Sequence, residues 1–296
     1  MSFGKDTRRG DKFKKGKDHF KSHPNHKKKN FGSDNGDLIR EWHDTQNYFN
    51  QYRREVPKSI KYDIEALEEI GENVTQEIIH VNDAVENNNN VVDTKPIIEI
   101  ANEDTFNMGI KYCAEGYSTM VLNMASDYRP GGGVASGKTA QEEELFRRSN
   151  AHLTHPRNWY PLTANEIIYS PEVTVVKDTR DNGYEYIDEV VMSMIACAAV
   201  RKPKLEDGKY DTDDYEIMYK KIESIFKIGI LHNHDALVLG ALGCGAFDNP
   251  PTDVANICSI LVTKYGKYFK KIGFAILVVK EGDTKNLDAF TSIIKV

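Results

Sequence analysis

The chain has 296 residues, of which 40% are hydrophobic and 28% charged, which is typical of a globular protein with one large or two small domains. No apolar run approaches the length of a membrane span, and the N-terminus has no apolar signal-peptide core, so we expect no membrane partner. The net charge of −6 is unevenly distributed, because residues 1–30 hold eleven Lys or Arg and only three Asp or Glu. The acidic remainder argues against a DNA-binding main domain.

The basic N-terminal segment, residues 1–36, has almost no aliphatic side chains. Such a segment cannot bury a core, so we expect a disordered tail. One interpretation is that residues 1–30 contact nucleic acid or another anionic polymer, and the other is a solubility or targeting role. The three histidines of this segment are loosely spaced and predict no metal site.

Four cysteines are dispersed along the chain without a Cys-x-x-Cys pair: Cys113, Cys197, Cys244 and Cys258. This spacing argues against a zinc site and favours reduced thiols in an intracellular protein, with nucleus and cytoplasm both open. Cys244 is the best placed for a catalytic thiol, although a structural cysteine is the stronger interpretation. We predict no metal and no cofactor.

Residues 37–94 are predicted to form a mainly helical extension packed on the following domain. A broken helical stripe begins at Asp37 and ends at Pro57, and an acidic helical piece follows from Asp63 to Ile70. A strand at 77–81 and an Asn-rich loop at 87–90 complete this part.

Residues 95–296 alternate apolar strands with amphipathic helices. The predicted strands are Pro96–Ile100, 118–125, Val173–Val176, Val190–Ala199, Ala236–Leu242 and Ile272–Val279. The predicted helices run from Asp104 or Thr105 to Gly116, over 141–153, from Asp213, along the face marked by Val254 to Tyr265, and over 284–294. This alternation predicts a mostly parallel or mixed sheet covered on both faces, with ligands at the carboxyl ends of the strands.

Two glycine loops follow two of the buried strands. Gly131–Gly133 follow the strand at 118–125 and precede the acidic helix start Gln141–Glu144, whereas Gly243–Phe247 directly follow the strand at 236–242. Backbone N–H groups in such loops form anion sites, and two of them could hold a diphosphate between them. Carboxylates beside an anion site suggest acid chemistry on a neighbouring sugar.

These motifs resemble the microbial-type poly(ADP-ribose) glycohydrolases, which are catalytic macrodomains. The resemblance covers roughly 37–296 and is carried by Leu122-Asn123-Met124-Ala125-Ser126, Arg129-Pro130-Gly131-Gly132-Gly133, Gln141-Glu142-Glu143-Glu144-Leu145-Phe146-Arg147-Arg148-Ser149 and the stretch from His234 to Pro251. It implies a macrodomain-like three-layer α/β/α sandwich with a mixed, mostly parallel sheet. It also implies poly(ADP-ribose) or ADP-ribosylated proteins as partners and ADP-ribose as product.

The resemblance further implies roles for individual residues. Glu143 matches the catalytic acid, and Glu142 matches the carboxylate that holds the distal ribose hydroxyls. Further substrate-binding positions are Gly131, Gly132 and Gly133 at the ribose and its phosphate, Gln141, Asn123 near a ribose, Asp104 near the adenine, Gly243, Cys244, Gly245 and Ala246 at the diphosphate, and Phe247 beside the ligand.

Glycoside cleavage passes through an oxocarbenium-like state and needs a proton on the leaving oxygen, which a glutamic acid of raised pKa can supply. A neighbouring carboxylate and a bound diphosphate raise such a pKa, whereas a helix N-terminus lowers it, and the sequence leaves this balance open. Glu144 competes with Glu143 for the role of acid. Cleavage within the polymer or at its end, and attack on ribose–ribose or ribose–protein bonds, both remain open.

Two other classes of function compete with this enzyme. A reader would bind ADP-ribose without cleaving it, but it would have no need of the acid pair Glu142 and Glu143. A scaffold or nucleic-acid protein would work through the basic tail. Trp159 and Tyr160 are interpreted as packing residues, with a lid as the alternative.

Overall fold

The computed structural model of the chain describes residues 35–52, 56–67 and 95–295. The strands are β1 (Ile60–Asp63), β2 (Ile97–Ala101), β3 (Thr119–Met124), β4 (Glu166–Lys177), β5 (Tyr186–Cys197), β6 (Leu205–Glu206), β7 (Lys209–Tyr210), β8 (Ala236–Leu239) and β9 (Lys271–Ala275). The helices are α1 (Asn35–Gln51), α2 (Thr105–Ala114), α3 (Gln141–Arg148), α4 (Ala151–Thr154), α5 (Thr212–Leu231), α6 (Pro251–Tyr265) and α7 (Lys285–Ile293). No helix in these three ranges is long and apolar enough to cross a membrane.

Seven of these strands form one mixed sheet in the order β1-β4-β5-β3-β8-β9-β2. Strands β5, β3, β8, β9 and β2 are parallel neighbours, and β4 runs antiparallel to both β5 and β1. The remaining two strands form a separate hairpin. This topology confirms the predicted mixed, mostly parallel sheet.

The core lies on both faces of the sheet, which makes three layers. On one face α5, α6 and α7 pack against side chains such as Leu122 and Leu239. On the other face α1, α2 and α3 pack against side chains such as Val121 and Val238. Residues 121 and 122 point to opposite faces because side chains alternate along a strand. The predicted macrodomain-like α/β/α sandwich is therefore confirmed, and the described N-terminal part is partly helical.

The strands beneath the two glycine loops form as the sequence predicts. Every residue of β8 is buried, as are the first five of β3, because continuous apolar runs suit strands covered on both faces. The two strands are parallel neighbours, so their carboxyl ends, and the loops that follow them, lie side by side. The fold thereby brings together two motifs that are about 110 residues apart in the sequence.

The N-terminal extension differs from its prediction. Strand β1 was not predicted and takes only the first residue of the predicted helical piece at 63–70. Residues 64–67 are helical, as predicted, and the rest of that piece lies outside the described residues. Two residues at the end of the predicted 1–36 tail belong to α1. The rest of that tail, the predicted strand at 77–81 and the Asn-rich loop at 87–90 lie outside the described residues. The proposed boundary between the extension and the domain that begins at residue 95 stays a prediction.

Three local differences have identifiable causes. Strand β4 extends well before Val173, with a register shift around Pro171, because proline interrupts the apolar pattern and cannot donate to the ladder. The predicted helix 141–153 is broken at Ser149, whose extended backbone bridges to Val175. The hairpin β6–β7 turns at Asp207–Gly208, both at positive φ, which is a turn signal that the prediction missed.

Candidate active site

A cavity of about 710 Å³ opens at the carboxyl ends of β3 and β8, and its volume is typical of a small-molecule site. Nine predicted site residues line it: Gly132, Gly133, Gln141, Glu142, Glu143, Gly243, Gly245, Ala246 and Phe247. Polar residues that were not predicted from the sequence also line it: Ser126, Asp127, Tyr128, Arg129, Lys138 and Arg201. The cavity therefore combines two glycine loops, a carboxylate pair and several cations.

Glu143 is held by the glycine loop at one oxygen only. The N–H of Gly133 donates to Glu143 Oε1 at 2.7 Å, whereas Oε2 is buried without a hydrogen-bond partner among the described residues. Gly132 has a φ of +51°, and a Cβ at this position would lie 2.6 Å from Glu143 Oε1. Glycine at 132 thus lets the loop approach the carboxylate closely, while the second oxygen of Glu143 keeps its hydrogen-bonding capacity unused among the described residues.

Glu142 has both oxygens occupied. Oε2 accepts from the N–H of Ser126 at 2.7 Å, and Oε1 accepts from the N–H of Gly131 at 3.1 Å and from Asn123 Nδ2 at 3.4 Å. Burial raises the pKa of Glu142 to about 8 against the opposing effect of the backbone N–H groups, and the Glu143 carboxylate raises it further. Glu142 is thus fixed in place, and its protonated form is favoured near neutral pH.

Glu144 points away from the cavity. Glu144 Oε1 pairs with Arg147 at 2.9 Å, and Oε2 accepts from the hydroxyl of Tyr184. Successive helical residues are rotated by about 100°, so three consecutive glutamates cannot all face one site. This geometry favours Glu143 over Glu144 as the acid.

The side chains of Gln141 and Asn123 form hydrogen bonds within the protein. The Gln141 amide accepts from the N–H of Met124 at 2.9 Å and donates to the carbonyl of Leu122 at 2.6 Å, which joins the start of α3 to β3. Asn123 is fully buried and reaches Glu142, but it does not line the cavity. Their predicted roles as substrate ligands stay predictions. Asn123 contacts Glu142 directly, whereas Gln141, which also lines the cavity, fixes the start of the helix that carries Glu142.

The second loop is organised by a residue that was not predicted from the sequence. Asn249 Nδ2 donates to the carbonyls of Val200 at 2.7 Å, Gly243 at 3.1 Å and Phe247 at 3.2 Å. Gly243 has a φ of +78°, and a Cβ there would lie 2.5 Å from Asn249 Nδ2 and from Ala199 Cβ. The Asn249 side chain therefore sets the loop curvature that exposes Gly245 to the cavity.

Four predicted ligand residues do not line the cavity. Asp104 caps α2 by accepting from the N–H of Asn107 at 3.0 Å, and it pairs with Arg148. Gly131 is buried behind Glu142. Burial raises the pKa of Cys244 to about 12, which disfavours the thiolate that a nucleophile would need. Substrate contacts of Asp104, Gly131, Asn123 and Cys244 remain predictions.

The cations Arg201 and Lys138 were not predicted as site residues, although the sequence contains a signal for Arg201. Arg201 follows the buried strand β5 by four residues, and β5 is the neighbour of β3 in the sheet. Lys138 belongs to the segment between the glycine triplet and α3. Polar residues just past a buried parallel strand lie at the ligand-binding edge, so Arg201 met that criterion. Within the described ranges no group of three or more His, Cys, Asp or Glu side chains could hold a metal ion.

The three-layer fold, together with a glycine loop that is hydrogen-bonded to two carboxylates at the start of α3, defines a macrodomain-like protein. Residues 43–178 match the model of the microbial-type poly(ADP-ribose) glycohydrolase catalytic domain. Over these residues, which include the glycine triplet and the acid pair, the chain is similar to this family of glycohydrolases. A comparison with curated protein sequences gave no match.

Solved structures extend the likeness beyond the segment matched by the family. The poly(ADP-ribose) glycohydrolase of Thermomonospora curvata bound to the inhibitor ADP-HPD has a TM-score of 0.70 and 23% identity, over 87% of this chain and 99% of that chain. The enzyme of Deinococcus radiodurans in complex with ADP-ribose has a TM-score of 0.65 and 23% identity, over 80% and 94%. At this identity the likeness shows a shared fold.

Proposed function

We propose that this chain hydrolyses the ribose–ribose O-glycosidic bonds of poly(ADP-ribose) and releases ADP-ribose, with Glu143 as the general acid. Similarity of residues 43–178 to the poly(ADP-ribose) glycohydrolase family supports the reaction class. The observation that carries the assignment to Glu143 is its divided hydrogen bonding, in which Oε1 is fixed by the glycine loop while the buried Oε2 is without a partner in the cavity lining. A proton on Oε2 is therefore available to a leaving oxygen.

The acid pair divides the chemistry. Glu143 protonates the oxygen that departs as the oxocarbenium-like state forms at the ribose, and the same carboxylate can then accept a proton from attacking water. Glu142 holds the distal ribose hydroxyls, because a carboxylate has about four lone-pair positions and the protein N–H groups occupy only part of them. The two side chains thus have different functions although they are adjacent.

The loops and cations accept the diphosphate. Backbone N–H groups of the loop around Gly245 form an anion site, whereas those of the glycine triplet already donate to Glu142, Arg129 and Glu143. The ionised form of either glutamate repels a diphosphate, and the cations Arg129, Lys138 and Arg201 in the lining offset that repulsion. The lining therefore combines acidic and basic side chains, which suits protonation of a glycosidic oxygen close to a bound diphosphate.

The decisive experiment measures release of ADP-ribose from poly(ADP-ribosyl)ated protein without added metal. Glu143→Gln should lose at least about 100-fold in kcat, the lower end of what general acid–base catalysis contributes, and should still bind ADP-ribose. The glutamine carbonyl can still accept from the N–H of Gly133, so this substitution keeps the loop contact.

The matched control is Glu144→Gln, which leaves the cavity lining intact and should retain most of the kcat. Equal losses in both variants would reject Glu143 as the specific acid. Release from mono-ADP-ribosylated protein but not from polymer would move the proposal to a ribose–protein linkage.

Two further parts of the proposal rest on sequence alone. Residues 1–30 contact nucleic acid or another anionic polymer through their excess of positive charge. The chain works inside the cell, for which the dispersed cysteines are the support.

A further inference from the structure

Arg201 joins the two loops at the mouth of the cavity. Its guanidinium carbon lies 4.0 Å from the centroid of the Phe247 ring in the second loop. The same guanidinium pairs with Asp127, which lies between β3 and the glycine triplet. Both charged side chains are partly exposed, at 49% for Arg201 and 38% for Asp127. One cation thus contacts both borders of the cleft.

The two contacts of Arg201 differ in how readily they exchange. An ion pair exposed to this degree contributes little to stability, because water screens it. Stacking on Phe247 leaves the planar N–H groups at the guanidinium edge available to an anion in the plane. Arg201 can therefore keep its position on Phe247 while its hydrogen-bonding edge turns from Asp127 to another acceptor.

We propose that Arg201 is a ligand of the substrate diphosphate and that Asp127 competes with the phosphate for it. This inference rests on the proposed function, since it concerns the ADP-ribosyl group that the cavity is proposed to bind. A guanidinium matches phosphate oxygens in bidentate geometry, and a diphosphate carries more charge than one carboxylate. The exchange occurs where Phe247 brings the cation next to the diphosphate loop.

The test compares Arg201→Ala with Asp127→Asn by calorimetric titration of ADP-ribose, ADP and adenosine. Asparagine keeps the size of Asp127 and its backbone carbonyl, which accepts from the N–H of Leu162 at 2.7 Å, but lacks the negative charge. Arg201→Ala should lower the affinity for ADP-ribose and ADP by about tenfold and change the affinity for adenosine by less than about twofold. Asp127→Asn should raise the affinity for ADP-ribose and ADP by about two- to fivefold, because the carboxylate that competes with the phosphate for Arg201 is removed.

The opposite signs separate this inference from a purely structural role. If Arg201 only fastened the two loops together, both variants would weaken ADP-ribose alike, and that result would overturn the proposal. Equal weakening of adenosine and ADP-ribose in Arg201→Ala would do the same. If the wild type releases ADP-ribose from polymer and Arg201→Ala binds ADP-ribose with wild-type affinity, this inference is refuted and the proposed function stands. Absence of ADP-ribose binding by the wild type would refute the proposed function as well.

Discussion

Glu142, Glu143 and Glu144 are adjacent in the sequence but have three different environments. Glu142 accepts three hydrogen bonds. Glu143 accepts one from a backbone N–H and has a second oxygen without a partner among the described residues, and Glu144 contacts Arg147 and Tyr184. Identical side chains therefore differ in chemistry through burial and hydrogen bonding alone. This difference suits the two proposed roles, a fixed ribose ligand at Glu142 and an acid at Glu143.

The raised pKa of Glu142 predicts a pH dependence of stability. The folded pKa is about 8 and the ordinary value is 4.5, so between these values the folded state binds more protons than the unfolded state. The free energy of unfolding should therefore fall as pH rises from about 4.5 to about 8, with a slope of at most about 1.4 kcal/mol for each increase of one in pH. Urea unfolding of wild type and Glu142→Gln across this range measures the slope.

Glu142→Gln should remove that contribution and make stability less dependent on pH. The slope is the readout, because the amide also places a donor opposite the N–H of Ser126 or Gly131 and lowers stability at every pH. An unchanged slope in the variant would contradict the raised pKa.

At the scale of elements, Arg147 connects α1, the glycine loop and α3. Its side chain is fully buried, with Nε donating to the carbonyl of Leu38 at 3.3 Å and an Nη donating to the carbonyl of Lys138. A turn of 3₁₀ helix at Val134–Ser136 separates Lys138 from the Gly133 that holds Glu143. The N-terminal helix is thereby connected to the loop that holds Glu143 through one side chain.

Arg147→Met should lower the free energy of unfolding by about 3 kcal/mol, because the partly buried Glu144 loses its cation and two carbonyls lose their donor. In the folded variant kcat should fall more than ADP-ribose affinity, since the loop that fixes Glu143 loosens. Denaturant unfolding and steady-state kinetics below the transition measure the two effects. Arg147→Lys, which keeps the charge, should recover part of the stability. A folded Arg147→Met with wild-type kcat would show that the loop is held without Arg147.

At the scale of the whole molecule, the described N-terminal segments are joined to the sheet at two places. Strand β1 pairs with β4 at the edge, and α1 packs over the opposite end of β4, where the buried Lys177 pairs with Glu41 at 3.0 Å and Asp44 at 2.8 Å. Burying this cation requires those carboxylates, because an isolated charge in the interior is costly. Helix α1 therefore supplies charges that the catalytic sheet needs.

Lys177→Met should destabilise the protein by about 3 kcal/mol, because the buried Glu41 carboxylate loses this cation. The double variant Lys177→Met/Glu41→Leu should recover most of the loss, since an apolar pair of similar volume replaces the ion pair. A double-mutant cycle in urea measures the coupling between the two positions. Additive losses would mean that the pair does not hold α1 on the sheet.

Much of this molecule follows from short-range patterns. The strands beneath the loops, the cap at Asp104 and the glycine triplet are local features, because burial on both faces, an N-cap and a positive φ each leave a mark within a few residues. The family motif then indicated the acid pair. Strand β1 and the first half of β4 were not predicted. Strand β1 is an exposed edge strand without a continuous apolar run, and a proline interrupts the apolar pattern of β4.

By itself, then, the sequence determined the layered α/β architecture, the two loops at one edge and the class of chemistry, which all depend on neighbouring residues. Only the tertiary structure decided that Glu142 and Glu143 face the cavity while Glu144 does not, that Asn249 shapes the second loop, and that Arg201 contacts Phe247 and Asp127. The reason is physical: these contacts depend on the rotation of α3 and on β5 lying next to β3. Such arrangements come from packing the whole sheet, and no local stretch of residues encodes them.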